Sequence, residues 1–298
     1  MMFDHQTQNC FIVSKCVTPV IRIRDCVFGS SYSVVWCVMA CIKGVLLDID
    51  GVLYTGDTPV PGAAESIRFL KENHIPFRCI SNTTQQSRAS ISQKLDNYGL
   101  NIPEECIFTP AVALVSVLKE KKIQQCFFLT ETDVKTDLLV DGIIESNSGA
   151  EAVVVGDAGD YFNYHSLNEA FRLLIDGASF FALEKDRYWM DNEGLSLSAG
   201  PFVYGLEYAS GTSAHLIGKP SPAFFAKALE SMNIDSSEAI MVGDDIYTDI
   251  GGSQRAGMKG ILVKTGKFDS QRVEDSGISP YRIIDSIRDL PEIISTIL

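Results

Sequence analysis

From Gly44 onward, apolar positions switch between a short continuous run and a helical period. Gly44-Val45-Leu46-Leu47 is unbroken, stops at Asp48-Ile49-Asp50-Gly51, and reads as a strand buried on both faces. A turn-rich loop over 55–62 follows, and Ala63, Ala64, Ile67 and Leu70 then predict a helix. Phe77–Ile80 is a second strand, leading into Ser81-Asn82-Thr83-Thr84. Ile91, Leu95 and Tyr98 share a helical face that Gly99 closes. A third strand is predicted at Ile107–Thr109 and a third helix over 111–122. This alternation predicts an α/β protein with a doubly wound parallel-sheet, Rossmann-like core.

The pattern is then interrupted. Residues 123–205 have strands of their own at 126–129, 152–155 and 179–183, and a helix carrying Leu167, Ala170, Phe171 and Leu174. They end in a Gly-rich, aromatic loop, 186–205. The first pattern resumes at 214–217, before Gly218-Lys219-Pro220. A helix with Phe225, Ala228, Leu229 and Met232 follows, then a strand at 239–242 ending in Gly243-Asp244-Asp245. A helix passes Asp249 to Gly257, a strand covers 260–263, and 283–298 closes the sheet edge. The expected division is therefore a core built from 43–122 and 206–298, with an inserted α/β domain at 123–205.

Residues 1–42 differ from the rest. They hold five of the eight cysteines, and Cys26 to Ile42 is a run of 17 residues without a charge. A poorly ordered extension is the favoured reading. A targeting segment competes with it, and Val38-Met39-Ala40 has the small residues of a cleavage site. Against a membrane span stand Gly29, Ser30, Ser31 and Ser33, and Lys43 alone separates the run from the first core strand. Translation from Met39 would bypass the segment without loss to the core.

Composition narrows the picture. The chain has 298 residues, 46% hydrophobic and 21% charged, with a net charge of −13. No Lys/Arg cluster marks a nucleic-acid face, so no nucleic-acid partner is expected. None of the cysteines forms C-x-x-C. Cys79, Cys106 and Cys126 sit in apolar surroundings as free thiols, which points to a reducing, cytoplasmic setting. His5, His74, His165 and His215 have no metal spacing. Gly260 to Lys267 ends in Gly-Lys, but its spacing is not that of a phosphate-binding P-loop, and Phe268 replaces the Ser/Thr.

Four features fall at the carboxyl ends of predicted strands, where open α/β sheets bind ligands. They are Asp48/Asp50, Ser81/Asn82, Lys219, and Asp244/Asp245 with Asp249. Each has an ordinary reading: acidic turns for the aspartates, a helix N-cap for Ser81, a surface lysine for Lys219. The dipeptide Gly156-Asp157 is read as such a solvated acidic turn. As a set, D-x-D-G-V-L at Asp48–Leu53, S-N-T at Ser81–Thr83, G-K-P at Gly218–Pro220 and G-D-D-x-x-x-D at Gly243–Asp249 resemble the haloacid-dehalogenase-type phosphohydrolases. The match is to the branch with a large α/β cap domain, and it covers roughly 43–298.

The resemblance implies a Mg²⁺-dependent phosphatase acting on a small phosphorylated substrate: a phosphoamino acid, pyrophosphate or a phosphomonoester. Asp48 would be the nucleophile, forming an aspartyl phosphate, and Asp50 the acid and base. The metal would be held by the Asp48 side chain, the Asp50 backbone carbonyl and Asp244, with Asp245 and Asp249 orienting them. Ser81 and the Asn82 backbone amide would hold phosphate oxygens, and Lys219 would pair with nucleophile and phosphate. Lys185, Arg187, Tyr188 and Trp189 in the cap are candidates for reading the leaving group. Packing of the cap on the core is their competing role. The resemblance also allows a homodimer through the cap, and no membrane partner is expected. Two readings compete with the phosphatase: a low-activity metabolite-binding or regulatory protein on the same fold, and a receiver-like phosphoacceptor. The complete acidic set argues against the first and the inserted domain against the second.

Overall fold

The computed structural model describes residues 41–190 and 194–297. The extension through residue 40, with its targeting reading and the Met39 start, lies outside the described residues. Six parallel strands form one sheet in the order Arg282–Ile284, Lys259–Val263, Ala239–Gly243, Gly44–Asp48, Phe77–Ile80, Ile107–Phe108. Gly44–Asp48 is central because both of its faces are covered. Val45 and Leu47 pack with Ile67, Leu70 and Ile294, while Leu46 packs on the other side with Phe224, Phe225 and Leu229. Two-faced burial is why this strand reads as a continuous apolar run. After it, the chain builds outward on one side through Phe77–Ile80. It later returns to the other side through Ala239–Gly243, so the switch point of the sheet lies between Gly44–Asp48 and Ala239–Gly243. Ligand crevices form at such points.

A second sheet has five parallel strands in the order His215–Leu216, Ser179–Ala182, Ala152–Val155, Gln125–Leu129, Ile144–Glu145. Helices Tyr164–Ile175 and Gly200–Ser210 cover one face, placing Ala170, Leu174, Val203 and Leu206 on Phe127, Val153 and Phe180. Three details depart from the sequence reading. Residues 206–216, expected in the first unit, pack with the second sheet, because Leu206 belongs to that apolar layer and His215 and Leu216 pair with Phe181 and Ala182. Ile144–Glu145 is a strand too short to show a period. The expected loop 186–205 instead contains an exposed hairpin, Tyr188–Met190 paired with Leu195–Leu197, and the first turns of the helix Gly200–Ser210.

Three aspartates of the insertion grip the segment Thr84–Arg88, which leads into helix Arg88–Asn97. Asp133 accepts from Ser87 N at 2.8 Å and Ser87 Oγ at 3.0 Å. Asp137 accepts from Arg88 N at 2.8 Å and Arg88 Nε at 3.1 Å. Asp157 N donates to Thr84 Oγ1 at 2.8 Å, and Gln85 Nε2 donates to the Asp157 carboxylate at 3.0 Å. Carboxylates at a helix N-terminus satisfy its free N–H groups and meet the positive end of its dipole. Asp157 is therefore buried and paired, not a solvated turn. Among the described residues, no helix is long and apolar enough to cross a membrane.

Candidate active site

The two strands flanking the switch point deliver the two principal carboxylates. Leu47 pairs with Val242, so Asp48 and Asp244 emerge side by side at the carboxyl edge. A π-helical turn over Ile246–Gly251 then brings Asp249 back beneath them. Asp48, Asp244 and Asp249 are all buried, and one carboxylate oxygen from each lies within 4.8 Å of the others. Such crowding is unfavourable unless positive charge is supplied.

Lys219 supplies part of it. Its Nζ donates to Asp48 Oδ1 at 2.6 Å and to Asp249 Oδ1 at 2.7 Å, with 5% of the side chain exposed. Burial works against this ammonium, but Asp249 and Asp48 outweigh it and raise its pKa. The acids remain short of positive charge. Burial, then Asp48 and Asp249, push Asp244 up to about 8, and burial and Asp48 push Asp249 up against the pull of Lys219. Three buried carboxylates sharing one buried ammonium account for both directions.

Asp244 also carries the most specific sign that the cluster suits a cation. Its Oδ1 is buried without a hydrogen-bond partner, while its Oδ2 accepts from Lys267 N at 2.7 Å. Gly51 and Gly266 close in on it. A Cβ at Gly51 would lie 1.9 Å from Asp244 Oδ2, and one at Gly266 would lie 2.0 Å from it. Both glycines have positive φ, 85° and 62°, so backbone geometry and space exclude a side chain at each. An all-oxygen carboxylate set with an orphaned oxygen suits a hard divalent cation such as Mg²⁺.

The other expected residues are placed unequally. Asp50 is exposed, and its carboxylate is hydrogen-bonded to the buried Tyr54, whose hydroxyl accepts from Lys94 Nζ at 3.2 Å. Burial and Asp50 raise the Tyr54 pKa, keeping the phenol protonated as a donor. Ser81 is buried and its Oγ accepts from Thr83 N at 3.1 Å. The Asn82 side chain is occupied with the Lys219 backbone, donating to its carbonyl at 3.0 Å and accepting from its N–H at 2.8 Å. Asp245 stands outside the carboxylate cluster. It accepts from Tyr247 N and Thr248 N at 2.8 and 3.0 Å and faces Arg272 at 3.6 Å. Burial works to raise its pKa, but those amides and Arg272 lower it. Asp249, expected with Asp245 to orient the metal ligands, lies in the cluster itself, and its Oδ2 accepts from Asp245 N at 3.1 Å.

In the insertion, Lys185 is bound to Glu207 at 2.9 Å and lies over the Tyr204 ring at 4.1 Å. Arg187, Tyr188 and Trp189 are exposed, the last two on the hairpin. The buried Glu184 beneath that hairpin accepts from Ser198 Oγ at 2.7 Å, from Ala199 N at 2.9 Å and from Asp186 N. Cys79 and Cys126 are buried free thiols; burial raises the Cys79 pKa and pushes Cys126 up to about 12, so neither is a nucleophile at neutral pH.

Sequence reasoning missed the segment Thr265–Lys267. Thr265 Oγ1 donates to the Gly51 carbonyl, and Lys267 N holds Asp244. Its signal was the Gly-Lys dipeptide, set aside because its spacing fits no P-loop.

The haloacid dehalogenase-like hydrolase family model matches residues 45–143, and a HAD-hydrolase-like model matches 216–290. The human haloacid dehalogenase-like hydrolase domain-containing protein 2 is 39% identical over 245 residues, covering 82% of this chain and 93% of that protein. The chain belongs to the haloacid dehalogenase-like hydrolases. The human phospholysine phosphohistidine inorganic pyrophosphate phosphatase is 36% identical to this hydrolase, covering 86% of it and 95% of the relative. Segments 200–203, 206–209 and 257–267 of the sequence already resemble these two proteins. Among solved structures, a 4-nitrophenylphosphatase from Thermotoga maritima superimposes with a TM-score of 0.80 at 26% identity, covering 85% of this chain and 97% of its own. A p-nitrophenyl phosphatase from Archaeoglobus fulgidus gives 0.79 at 26% identity, covering 85% and 99%.

Proposed function

We propose that this hydrolase is a Mg²⁺-dependent phosphatase that works through an aspartyl phosphate on Asp48. The observation that carries the reading is the pairing of Asp48 with Lys219 beside Asp244, whose Oδ1 is buried and unpartnered. Asp48, Asp244 and the Asp50 backbone carbonyl would hold the ion, with Asp249 next to them. When bound, Mg²⁺ would neutralise the repulsion between carboxylate and phosphate and orient the phosphoryl group.

Lys219 holds one oxygen of Asp48, leaving the other to attack phosphorus. The leaving-group oxygen takes its proton from Asp50, and the same carboxylate then removes a proton from the water that hydrolyses the acyl phosphate. The Asn82 side chain positions Lys219, while its backbone amide and the nearby Ser81 hydroxyl would bind phosphate oxygens. The p-nitrophenyl phosphatase neighbours and the pyrophosphate phosphatase relative support a small phosphorylated substrate.

The test is turnover of p-nitrophenyl phosphate with Mg²⁺. Asp48→Asn should lower it by about 10³-fold or more while the melting temperature stays close to wild type. Near-normal turnover in that variant refutes the mechanism. Metabolite binding without turnover in the wild type favours the regulatory alternative.

A further inference from the structure

Glu184 is a buried acid that the phosphatase chemistry does not use. It follows Leu183, at the end of the strand Ser179–Ala182, and the Leu183 carbonyl accepts from Gly218 N at 3.0 Å. Gly218 precedes Lys219, so the chain leaves Glu184 from a contact with the backbone of the candidate active site. It runs out as Tyr188–Met190 and returns as Leu195–Leu197. Glu184 ties the two legs together at their base. Its Oε1 accepts from Ser198 Oγ at 2.7 Å and Ala199 N at 2.9 Å on the returning leg, and its Oε2 accepts from Asp186 N on the outgoing one. Beside it, Gly200 N donates to Asp186 O at 3.0 Å, and a Cβ at Gly200 would lie 2.3 Å from that oxygen. Tyr188, Trp189, Met190, Leu195 and Leu197 are exposed on the legs. One side chain thus closes the neck of an apolar hairpin rooted beside Lys219.

Among the described residues, no ion pair reaches Glu184. Asp186 adds repulsion, Lys185 is spent on Glu207 at 2.9 Å, and Arg187 is exposed. On the neighbouring strands, Asp157 is bound to Gln85 and Gly159, and His215 is exposed. Burial raises the Glu184 pKa to about 7, against its three hydrogen bonds. A neck opened to water would restore an ordinary carboxyl, so the proton favours the closed neck and its loss loosens it. We propose that Glu184 is a positioning residue that, in its protonated form, closes the neck of the hairpin and so sets which leaving groups the hairpin favours. The specificity role rests on the phosphatase reading above, and the positioning role does not.

Trp189 reports on the neck directly, since with Trp36→Phe it is the sole tryptophan of the chain. In that background its emission should titrate with a midpoint near 7. In Glu184→Gln, whose uncharged side chain keeps the neck closed, it should stay at the low-pH value throughout. Ser198→Ala removes a hydrogen bond that lowers the Glu184 pKa and should move the midpoint upward. Emission that does not titrate, that titrates alike in Glu184→Gln, or whose midpoint is unmoved by Ser198→Ala overturns the positioning role.

Activity with Mg²⁺ tests the specificity role. The ratio of kcat/KM for p-nitrophenyl phosphate, with its apolar leaving group, to that for acetyl phosphate is measured in wild type and Glu184→Gln. Relative to the variant, the wild-type ratio should fall by about three- to tenfold between about pH 6 and about pH 8. A wild-type ratio that follows Glu184→Gln at every pH overturns the specificity role and leaves the phosphatase reading standing. A wild type that hydrolyses neither compound overturns the phosphatase reading and the specificity role together, while the Trp189 titration still decides the positioning role.

Discussion

Asn82 and Lys219 are held together by a reciprocal pair of hydrogen bonds across 137 residues of sequence: the Asn82 side chain donates to the Lys219 carbonyl and accepts from its N–H. The contact spans the whole insertion and sets the backbone from which Lys219 reaches Asp48 and Asp249. It is also tight, since a Cβ at Gly218 would lie 2.4 Å from Asn82 Oδ1.

Replacing that clasp should therefore affect both stability and rate. Asn82→Ala removes two hydrogen bonds and leaves part-buried backbone groups unpaired, a loss of about 1–3 kcal/mol. Misplacing Lys219 by a fraction of an ångström should lower kcat/KM by about tenfold or more. Thermal melting and steady-state kinetics on the same preparation check the two effects. Unchanged values for both would show that the clasp positions nothing.

Glu184 predicts a pH effect in the insertion. Burial raises its pKa from the usual 4.5 to about 7, against the opposing hydrogen bonds of Ser198, Asp186 and Ala199. A folded carboxyl with a raised pKa takes up a proton more readily than its unfolded counterpart. Its stabilising contribution is thus fully present below the unfolded value and is lost as pH rises through about 7. The difference in melting temperature between wild type and Glu184→Gln should shrink in the direction of lost wild-type stability from pH 5 to pH 8. A difference constant across that range contradicts the buried-acid assignment.

The metal assignment predicts a stability signal independent of turnover. A cation present at about 100 times its Kd stabilises the folded state by about 2.7 kcal/mol. Mg²⁺ should raise the melting temperature of the wild type, and a chelator should reverse the rise. Asp244→Asn, which removes a charge from the orphaned carboxylate, should abolish the shift. An identical Mg²⁺ response in that variant would place the ion elsewhere.

The parts of the fold that could be read from sequence are those where burial dictates pattern. The central strands Gly44–Asp48, Phe77–Ile80, Ala239–Gly243 and Lys259–Val263 have both faces covered, so their apolar runs identify them directly. Short or half-exposed elements gave no such signal. Ile144–Glu145 is two exposed residues at a sheet edge, and the paired strands Tyr188–Met190 and Leu195–Leu197 present apolar side chains to solvent. His215–Leu216 looked like part of the first sheet because it adjoins Gly218-Lys219-Pro220, but backbone pairing to Phe181 and Ala182 decides its place. In the site, sequence spacing brought Asp48, Asp244 and Lys219 together. It did not reveal which partner each side chain would choose. Asn82 turned to Lys219, Asp245 to the turn it caps, and Asp157 to Thr84 and Gln85, because these bonds depend on chain crossings that no local pattern records.

The central claim is that Asp48 is the nucleophile, and the most direct measurement is of the acyl phosphate itself. The Asp50→Asn variant should accept a phosphoryl group from p-nitrophenyl phosphate, whose leaving group needs little acid assistance, and release it slowly for want of a base. Acid quenching during turnover with Mg²⁺, followed by peptide mass spectrometry, should show a phosphate adduct on Asp48 in Asp50→Asn and none in Asp48→Asn. Burst release of p-nitrophenol with Asp48 unmodified, or an adduct on another residue, would contradict the account.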